Sequence, residues 1–384
     1  MTTWKDGVLR VTPYVPGEQP AGEDLIKLNT NENPYPPAPG VQEILRNLDA
    51  DDLRRYPDPN ATRLVDALSE RYRVPADQIF VGVGSDDVLA LSFLTFFSGD
   101  NGDGSECHLG KQVTFRTVPI VTSASREPLI FPDITYSFYK VWAALYGIRY
   151  REIPLNNNYT LDEEEHNDFR ADYLSGTARG IVIANPNAPT GIAAPLALIE
   201  EIVKSNPQCV VIVDEAYIDF GGESALPLTD KYDNLLVVQT FSKSRSMAGM
   251  RIGYAFGAKE LIRALNDVKF SVNSYTLNIP SILAGEAALK DEAYFQECVK
   301  RIKATREDVR NKLDAMGFTT LPSATNFLFT RPAGNNAEEI YNRLRDARIY
   351  VRYFNAPRTK DFLRITIGTE EEMKRLLDNL KSMI

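Results

Sequence analysis

The segment "VVIVDEAYIDFGG", residues 210–222, starts with four β-branched residues and then places two acidic residues side by side. β-Branched residues favour a strand, and burying a carboxylate without a partner is costly. We therefore expect the end of this strand, at Asp214, to face a positive group. Neighbouring strand residues point to opposite faces, so Glu215 is the weaker candidate for that contact.

Similar apolar runs alternate with helical patterns through the middle of the chain. This alternation predicts an open α/β fold with a mostly parallel sheet flanked by helices, and such sheets bind ligands at the carboxyl ends of their strands. The predicted strands are residues 79–84, 128–132, 149–154, 180–185, 209–214, 235–240 and 251–257. Predicted helices follow at residues 86–97, 136–146 and 258–269.

The C-terminal part of the chain has a different pattern, which predicts a smaller α+β domain. A long helical region and three short strands are predicted at residues 280–315, 327–330, 350–354 and 362–368, with a helix at 337–348. Thr369 and Glu372 form a predicted capping box for the last helix. We predict three parts of the chain. An N-terminal arm (1–40) joins the small domain, a large domain covers residues 41–270, and the small C-terminal domain covers residues 271–384.

The composition excludes several classes of protein. The chain has 384 residues, of which 43% are hydrophobic and 25% charged, as in globular proteins. Its net charge of −9 gives no overall attraction to nucleic acid, and no apolar stretch reaches the roughly 20 residues that span a membrane. Three separated cysteines and no signal-peptide pattern predict a cytoplasmic enzyme. With two histidines, we expect no metal site, including at Cys107 and His108.

Three polar segments follow predicted strands. In "TFSKSRSMAGMRIGY", residues 240–254, Lys243 can form a Schiff base, while Ser242 and Arg251 can bind phosphate. Alone, this segment is more typical of a solvated polar loop. In "GVGSDD", residues 82–87, the start of a helix attracts anions and Ser85 is the expected N-cap.

The third segment is "NPNAPTG", residues 185–191, whose two prolines predict a rigid turn that holds Asn187 at the end of a strand. A lysine for an imine, an acid for a ring nitrogen and an anion site together predict pyridoxal phosphate. Asp214 would then keep the pyridine nitrogen protonated, and the cofactor is the expected positive partner. A structural salt bridge is the alternative for Asp214.

An ordered set of motifs resembles the histidinol-phosphate aminotransferases, which are fold-type-I pyridoxal-phosphate enzymes. The resemblance covers nearly the whole chain. Its motifs are "LNTNENPYPP" (28–37), "RYPDP" (55–59), "GVGSDD" (82–87), "TYSFY" (135–139), "NPNAPTG" (185–191), "VDEAYIDF" (213–220), "TFSKSRSMAGMRIGY" (240–254) and "LRITIG" (363–368).

This resemblance implies roles for residues around the cofactor. Lys243 is the implied Schiff-base lysine and the acid/base of the proton shift. Asp214 pairs with the ring nitrogen, Tyr217 contacts the ring hydroxyl and Tyr136 stacks on the ring.

The cofactor phosphate has its own implied ligands. They are Ser242, Arg251 and the backbone of Ser85 and Asp86. Tyr56 is implied to reach the phosphate from a second subunit, which makes the protein a homodimer.

The same resemblance implies a substrate site in the small domain. Arg364 would bind the substrate carboxylate and Arg352 the substrate phosphate, with Tyr14 and Asn29 lining the pocket. The implied reaction is transamination between histidinol phosphate, or imidazole-acetol phosphate in reverse, and glutamate or 2-oxoglutarate. The alternatives are a threonine-phosphate decarboxylase, an aromatic aminotransferase and a non-catalytic regulator that binds pyridoxal phosphate.

Two features depart from the family pattern. Ala188 stands before "PTG" where the family has an asparagine that bonds the ring hydroxyl, so Asn187 or Tyr217 is expected to make that contact. Residues 98–127 form an unusual insertion before Tyr136.

Overall fold

The computed structural model describes residues 8–98, 127–161, 169–332, 334 and 336–383. The strands of this part of the chain are β1 (Ile26–Lys27), β2 (Ile79–Gly82), β3 (Leu129–Pro132), β4 (Tyr150–Ile153), β5 (Gly180–Ala184), β6 (Val210–Asp214), β7 (Leu235–Thr240), β8 (Gly253–Gly257), β9 (Thr319–Thr320), β10 (Phe327–Arg331), β11 (Ile349–Tyr350), β12 (Arg352–Tyr353) and β13 (Leu363–Thr366). The helices are α1 (Pro39–Asn47), α2 (Thr62–Tyr72), α3 (Gly84–Phe97), α4 (Phe138–Leu145), α5 (Phe169–Tyr173), α6 (Leu196–Ser205), α7 (Lys259–Val272), α8 (Ile279–Lys290), α9 (Glu292–Ala315), α10 (Ala337–Asp346) and α11 (Glu370–Lys381).

The main sheet has the strand order β2-β8-β7-β6-β5-β3-β4 among the described residues. Strand β8 is antiparallel to both of its neighbours, and the other adjacent pairs are parallel. The predicted α/β fold with a mostly parallel sheet is confirmed.

Both faces of this sheet are buried except at the edge strand β4, which explains the continuous apolar runs of the other strands. Alternate residues of β6 enter different apolar clusters: Ile212 packs with Phe93 on one face, while Val211 and Val213 pack with Ile199 on the other. The sheet is therefore a central layer between two layers of helices.

The carboxyl ends of the parallel strands meet at one edge of the main sheet. Strand β2 runs in the same direction as β7 because both are antiparallel to β8. Strand β6 ends at Asp214, and Lys243 follows the end of β7. This edge is where the sequence predicts a ligand.

A smaller antiparallel sheet with the order β12-β13-β10-β9 lies in the C-terminal part. The N-terminal segment joins this part through the parallel pair β1–β11. Leu28 donates its N–H to the Tyr350 carbonyl at 2.7 Å and accepts from the Thr366 N–H at 3.0 Å. These bonds support the predicted N-terminal arm, and the division of the chain into domains stays a prediction.

Local predictions for the C-terminal part are confirmed in some places and corrected in others. The capping box of Thr369 and Glu372 is present at the start of α11. The helical region predicted at 280–315 is present as two helices, since Asp291 separates α8 from α9 and caps α9. The single strand predicted at 350–354 is wrong, because β11 pairs with β1 while β12 pairs with β13.

Some predictions concern residues outside the described ranges. They include nearly all of the insertion at 98–127, with Cys107 and His108. Within the ranges that are described, no helix combines the length and the apolar character needed to cross a membrane.

Candidate active site

A cavity of about 160 Å³ opens at the carboxyl edge of the main sheet. Polar side chains from several separate chain segments converge on it, which is what a bound cofactor requires. The predicted cofactor residues that line it are Ser85, Asp86, Tyr136, Asp214, Tyr217, Ser242, Lys243 and Arg251.

Asp214 is buried in the wall of the cavity, and two donors hold its carboxylate. The Tyr139 hydroxyl donates to Oδ2 at 2.8 Å, and the Ala216 N–H donates to Oδ1 at 3.2 Å. Burial raises the pKa of Asp214 to about 6, although the bond from Tyr139 acts in the opposite direction. A protonated, positively charged ring nitrogen is the kind of partner that such a carboxylate needs.

Glu215 points away from the cavity, as its position next to Asp214 in the strand predicts. It accepts hydrogen bonds from Ser224 at 2.7 Å, the Ala225 N–H at 2.6 Å and Gln239 at 2.8 Å. Burial raises its pKa to about 7. Glu215 is therefore part of the packing beneath the site.

Lys243 directs its ammonium group into the cavity. Asn33 fixes the backbone there by donating to the carbonyls of Lys243 at 3.1 Å and Ser244 at 3.0 Å. Lys243 Nζ donates to the Thr30 carbonyl at 3.2 Å and lies 5.7 Å from the centre of the Tyr217 ring. A primary amine held in this way can reach an aldehyde bound between it and Asp214.

The part of the cavity beside the start of α3 suits an anion. Helix α3 begins there at Gly84, which has a φ of 82°, and its first amides are the anion-attracting end of the helix. A Cβ at Gly253 would overlap the backbone of Gly84, so the close approach of β8 to this turn requires glycine. Ser242 and Arg251 lie beside the turn, 3.4 Å apart between Oγ and Nη1.

Two details of this part of the cavity differ from the predictions. Val83 occupies the N-cap position, so Ser85 lies in the first turn of α3 and is not the cap. The Asp86 carboxylate, which was not predicted to take part, accepts from Tyr136 at 2.8 Å and from Arg251 at 3.2 Å.

Asn187 is not among the residues that line the cavity, whereas Ala188 is. The side chain of Asn187 donates to the Ile134 carbonyl at 2.9 Å and to Thr190 at 3.0 Å, and it accepts from Thr135 at 2.9 Å. These bonds stabilise the predicted rigid turn, in which the peptide bonds before Pro186 and Pro189 are cis.

Tyr217 is held at the cavity wall by a residue that the sequence did not single out. Asn31 Nδ2 donates to the Tyr217 hydroxyl at 2.8 Å. The contact joins residues 186 positions apart, so only the tertiary fold reveals it. With Asn187 committed to its own turn, Tyr217 remains the candidate for the ring hydroxyl.

Arg352 and Arg364 are directly opposite each other on β12 and β13. Their guanidinium groups both lie 5.4 Å from the centre of the Phe354 ring. Arg364 Nη2 donates to the Asn29 carbonyl at 2.9 Å, while its buried Nε has no hydrogen-bond partner among the described residues. Burial lowers the pKa of Arg364, and Arg352 adds to this effect. The pair therefore favours an anion.

The remaining predicted residues do not line the cavity. Tyr14 stacks on Phe138 with ring centres 4.1 Å apart and lies 6.5 Å from Tyr136. The buried Asn29 has a side-chain oxygen without a partner in the described part of the chain. Tyr56 is 80% exposed and does not line the cavity of its own chain.

Comparisons with known proteins agree with this geometry. The profile of the family "Aminotransferase class I and II" matches residues 116–380. Histidinol-phosphate aminotransferase 2 of Dechloromonas aromatica (strain RCB) is 47% identical over 383 residues, which cover 99% of this chain and 98% of that protein. The histidinol-phosphate aminotransferase of Marinomonas sp. (strain MWYL1) is 47% identical over 382 residues, or 99% of each chain.

A solved structure extends the comparison to the fold. It is that of histidinol-phosphate aminotransferase from Sinorhizobium meliloti in complex with pyridoxal-5'-phosphate. It matches with a TM-score of 0.77 at 24% identity and covers 94% of this chain and 92% of that one. The match shows that the two chains share a fold.

Proposed function

Since the chain belongs to the class I and II aminotransferases and, among them, to the histidinol-phosphate aminotransferases, we propose that it transfers an amino group between histidinol phosphate and 2-oxoglutarate. It is a pyridoxal-phosphate-dependent transaminase of histidine biosynthesis. The observation that carries the proposal is the convergence of Lys243, Asp214 and an anion-binding helix start on one cavity.

The described residues fit pyridoxal phosphate. Lys243 would bind its aldehyde, Asp214 its ring nitrogen, and Ser242, Arg251 and the first turn of α3 its phosphate. When bound, the cofactor supplies an electron sink for the electrons released at the substrate's α-carbon.

The chain's own groups do the remaining work. Lys243 Nζ moves the proton from the α-carbon of the amino substrate, as a general base. Asp214 keeps a proton on the ring nitrogen, and its burial excludes the water that would weaken this pairing. Tyr136, whose hydroxyl donates to Asp86 at 2.8 Å, would stack on the cofactor ring.

The arginine pair explains how one site accepts two substrates. Histidinol phosphate carries a phosphate ester and no carboxylate, whereas glutamate carries carboxylates. Adjacent guanidinium groups can bind either kind of oxygen anion through charge-assisted hydrogen bonds. We place the shared anion between Arg364 and Arg352, with the phosphate depending more on Arg352.

Arg352→Gln tests this division of roles. We expect the KM for histidinol phosphate to rise about tenfold with little change in kcat, because the lost bond holds substrate and transition state alike. The KM for glutamate should rise less. The matched variant Arg364→Gln should raise both KM values, and equal effects of the two variants on both substrates would contradict the assignment.

The reaction itself is tested in a single turnover of the purified protein loaded with pyridoxal phosphate. We expect histidinol phosphate to convert the bound cofactor to pyridoxamine phosphate. Threonine phosphate should release no carbon dioxide. Release of carbon dioxide with return of the aldehyde form would instead indicate a decarboxylase, and the Lys243→Ala variant should be inactive on both compounds.

We also propose that the protein acts as a homodimer in the cytoplasm, with Tyr56 reaching the cofactor phosphate of the neighbouring subunit. Tyr56 stacks on Tyr275 with ring centres 4.5 Å apart, and both rings are exposed. Leu53, Phe270 and Val272 are further exposed apolar residues from the same two parts of the chain. Exposed apolar groups of this kind support a subunit interface.

A further inference from the structure

Tyr139 contacts Asp214 from outside the cavity. It is fully buried, and its hydroxyl donates to Asp214 Oδ2 at 2.8 Å. Tyr139 does not itself line the cavity. Any effect that it has on the reaction must therefore pass through Asp214.

The Tyr139 ring is fixed by other aromatic rings. The ring centres of Phe131, Tyr136, Phe93 and Trp142 lie 5.8, 5.7, 6.2 and 6.3 Å from it. A ring enclosed in this way cannot turn its hydroxyl to another acceptor without repacking the core.

The two donors on Asp214 come from different parts of the structure. Tyr139 belongs to α4 and anchors Oδ2, while the Ala216 N–H follows β6 and anchors Oδ1. Each carboxylate oxygen can accept more than one hydrogen bond, so the anchored carboxylate retains capacity for a third donor. Tyr139 and Ala216 therefore set the direction from which a third donor can approach the carboxylate.

We propose that Tyr139 is a positioning residue of the transaminase: its hydroxyl holds the Asp214 carboxylate in the orientation that receives the N–H of the cofactor ring. The inference rests on the proposed role of Asp214 and extends it to a residue that does not touch the cofactor. Bonds between an outer residue and a group that binds a cofactor commonly fix the geometry of that group.

The charge on Asp214 depends on the same contact. The groups facing it are Tyr139 from α4, Asp86 from α3 and Lys243 from the loop after β7. Burial raises the pKa of Asp214, and Asp86 adds to this, while Tyr139 and Lys243 lower it. Removing the Tyr139 hydroxyl should therefore move protonation of Asp214 to higher pH.

Tyr139→Phe removes the hydroxyl and keeps the packed ring. Tyr173→Phe is the matched control, because Tyr173 is also fully buried and its hydroxyl has no hydrogen-bond partner among the described residues. Both full-length variants are freed of cofactor by dialysis, titrated with pyridoxal phosphate across a range of pH, and compared by their melting temperatures.

For Tyr139→Phe we expect the dissociation constant of pyridoxal phosphate to rise about tenfold, since a hydrogen bond to a charged group is lost. The pH below which binding weakens should move upward. In the loaded enzyme, kcat should fall while the KM values of both substrates stay close to wild type. Tyr173→Phe should show none of these changes.

A third variant, Asp214→Asn, separates this inference from the function on which it rests. If Asp214→Asn loses cofactor binding while Tyr139→Phe behaves like Tyr173→Phe, the inference about Tyr139 is overturned and the proposed function stands. If Asp214→Asn binds cofactor and turns over like wild type, the role of Asp214 fails first. If Tyr139→Phe lowers only the melting temperature and leaves cofactor binding and its pH dependence unchanged, the inference is also overturned.

Discussion

Asp214 and Glu215 are adjacent carboxylates with different surroundings. Asp214 has one side-chain donor and a cavity in front of it, whereas Glu215 is surrounded by donors inside the core. The sequence predicts this difference, because strand residues alternate in direction. It does not predict Tyr139 or Asn31, whose bonds span 75 and 186 positions of the chain. Residues next to a strand end can be predicted from the sequence, but the residues that orient them cannot.

Burial of Asp214 should make the stability of the cofactor-free protein depend on pH. Its pKa is about 6 in the folded chain against an ordinary 3.8, so the folded state holds a proton more tightly than the unfolded state. The associated stability is present below about pH 4 and is lost as the pH rises through about 6. Relative to wild type, Asp214→Asn should gain stability as the pH rises between these limits, and the gain should reach about 3 kcal/mol above about pH 6.

The measurement is urea unfolding of the cofactor-free proteins at pH 4.5 and 7.5. Asp66→Asn, on the exposed side of α2, is the control and should change little between the two conditions. A gain for Asp214→Asn at pH 4.5 that equals its gain at pH 7.5 would contradict the assigned titration.

At the scale of elements, local sequence signals predicted where a helix begins, but the sequence did not predict which strands pair. The start of α11 was predicted because a capping box is encoded within four consecutive residues. Residues 350–354 instead contain two short strands that pair with distant partners, Ile26–Lys27 and Leu363–Thr366. The apolar pattern shows that these residues are extended and buried, but it contains no information on where the partner strand changes.

The capping box at α11 can be tested directly. Thr369 accepts from the Glu372 N–H at 3.3 Å, and Glu372 accepts from the Thr369 N–H at 2.7 Å. Thr369→Ala should destabilise the protein by about 1 kcal/mol. Thr369→Ser keeps the hydroxyl and should stay close to wild type in the same denaturant titration, so a similar loss in both variants would point to the lost methyl group instead of the cap.

At the scale of the whole molecule, the proposed dimer divides one active site between two chains. Lys243 lies in the cavity of its own chain, while Tyr56 is exposed outside it. The second subunit is implied by the family resemblance and by no local pattern around Tyr56. The exposed Tyr56–Tyr275 stack is the structural feature that this arrangement would use.

Mixed dimers provide the test. Tyr56→Ala and Lys243→Ala should each lose most activity as homodimers. When the two variants are unfolded together and refolded, the mixed dimer contains one site with both Lys243 and Tyr56 intact, so activity should return. Mixtures refolded separately and then combined without subunit exchange serve as the control, and failure of the co-refolded mixture to gain activity would exclude the shared site.

The bonds between the two ends of the chain also set the order in which the site can form during synthesis. Asn29 accepts from Arg364, and Asn31 accepts from Thr366, so the substrate side of the pocket joins residues 335 positions apart. A ribosome releases the N-terminal part first. The main sheet can assemble while translation continues, but Asn29 and Asn31 gain these partners only after β13 has been synthesised. An incomplete chain that lacks β13 therefore cannot complete the substrate pocket, and the site can form only after residue 366 has left the ribosome.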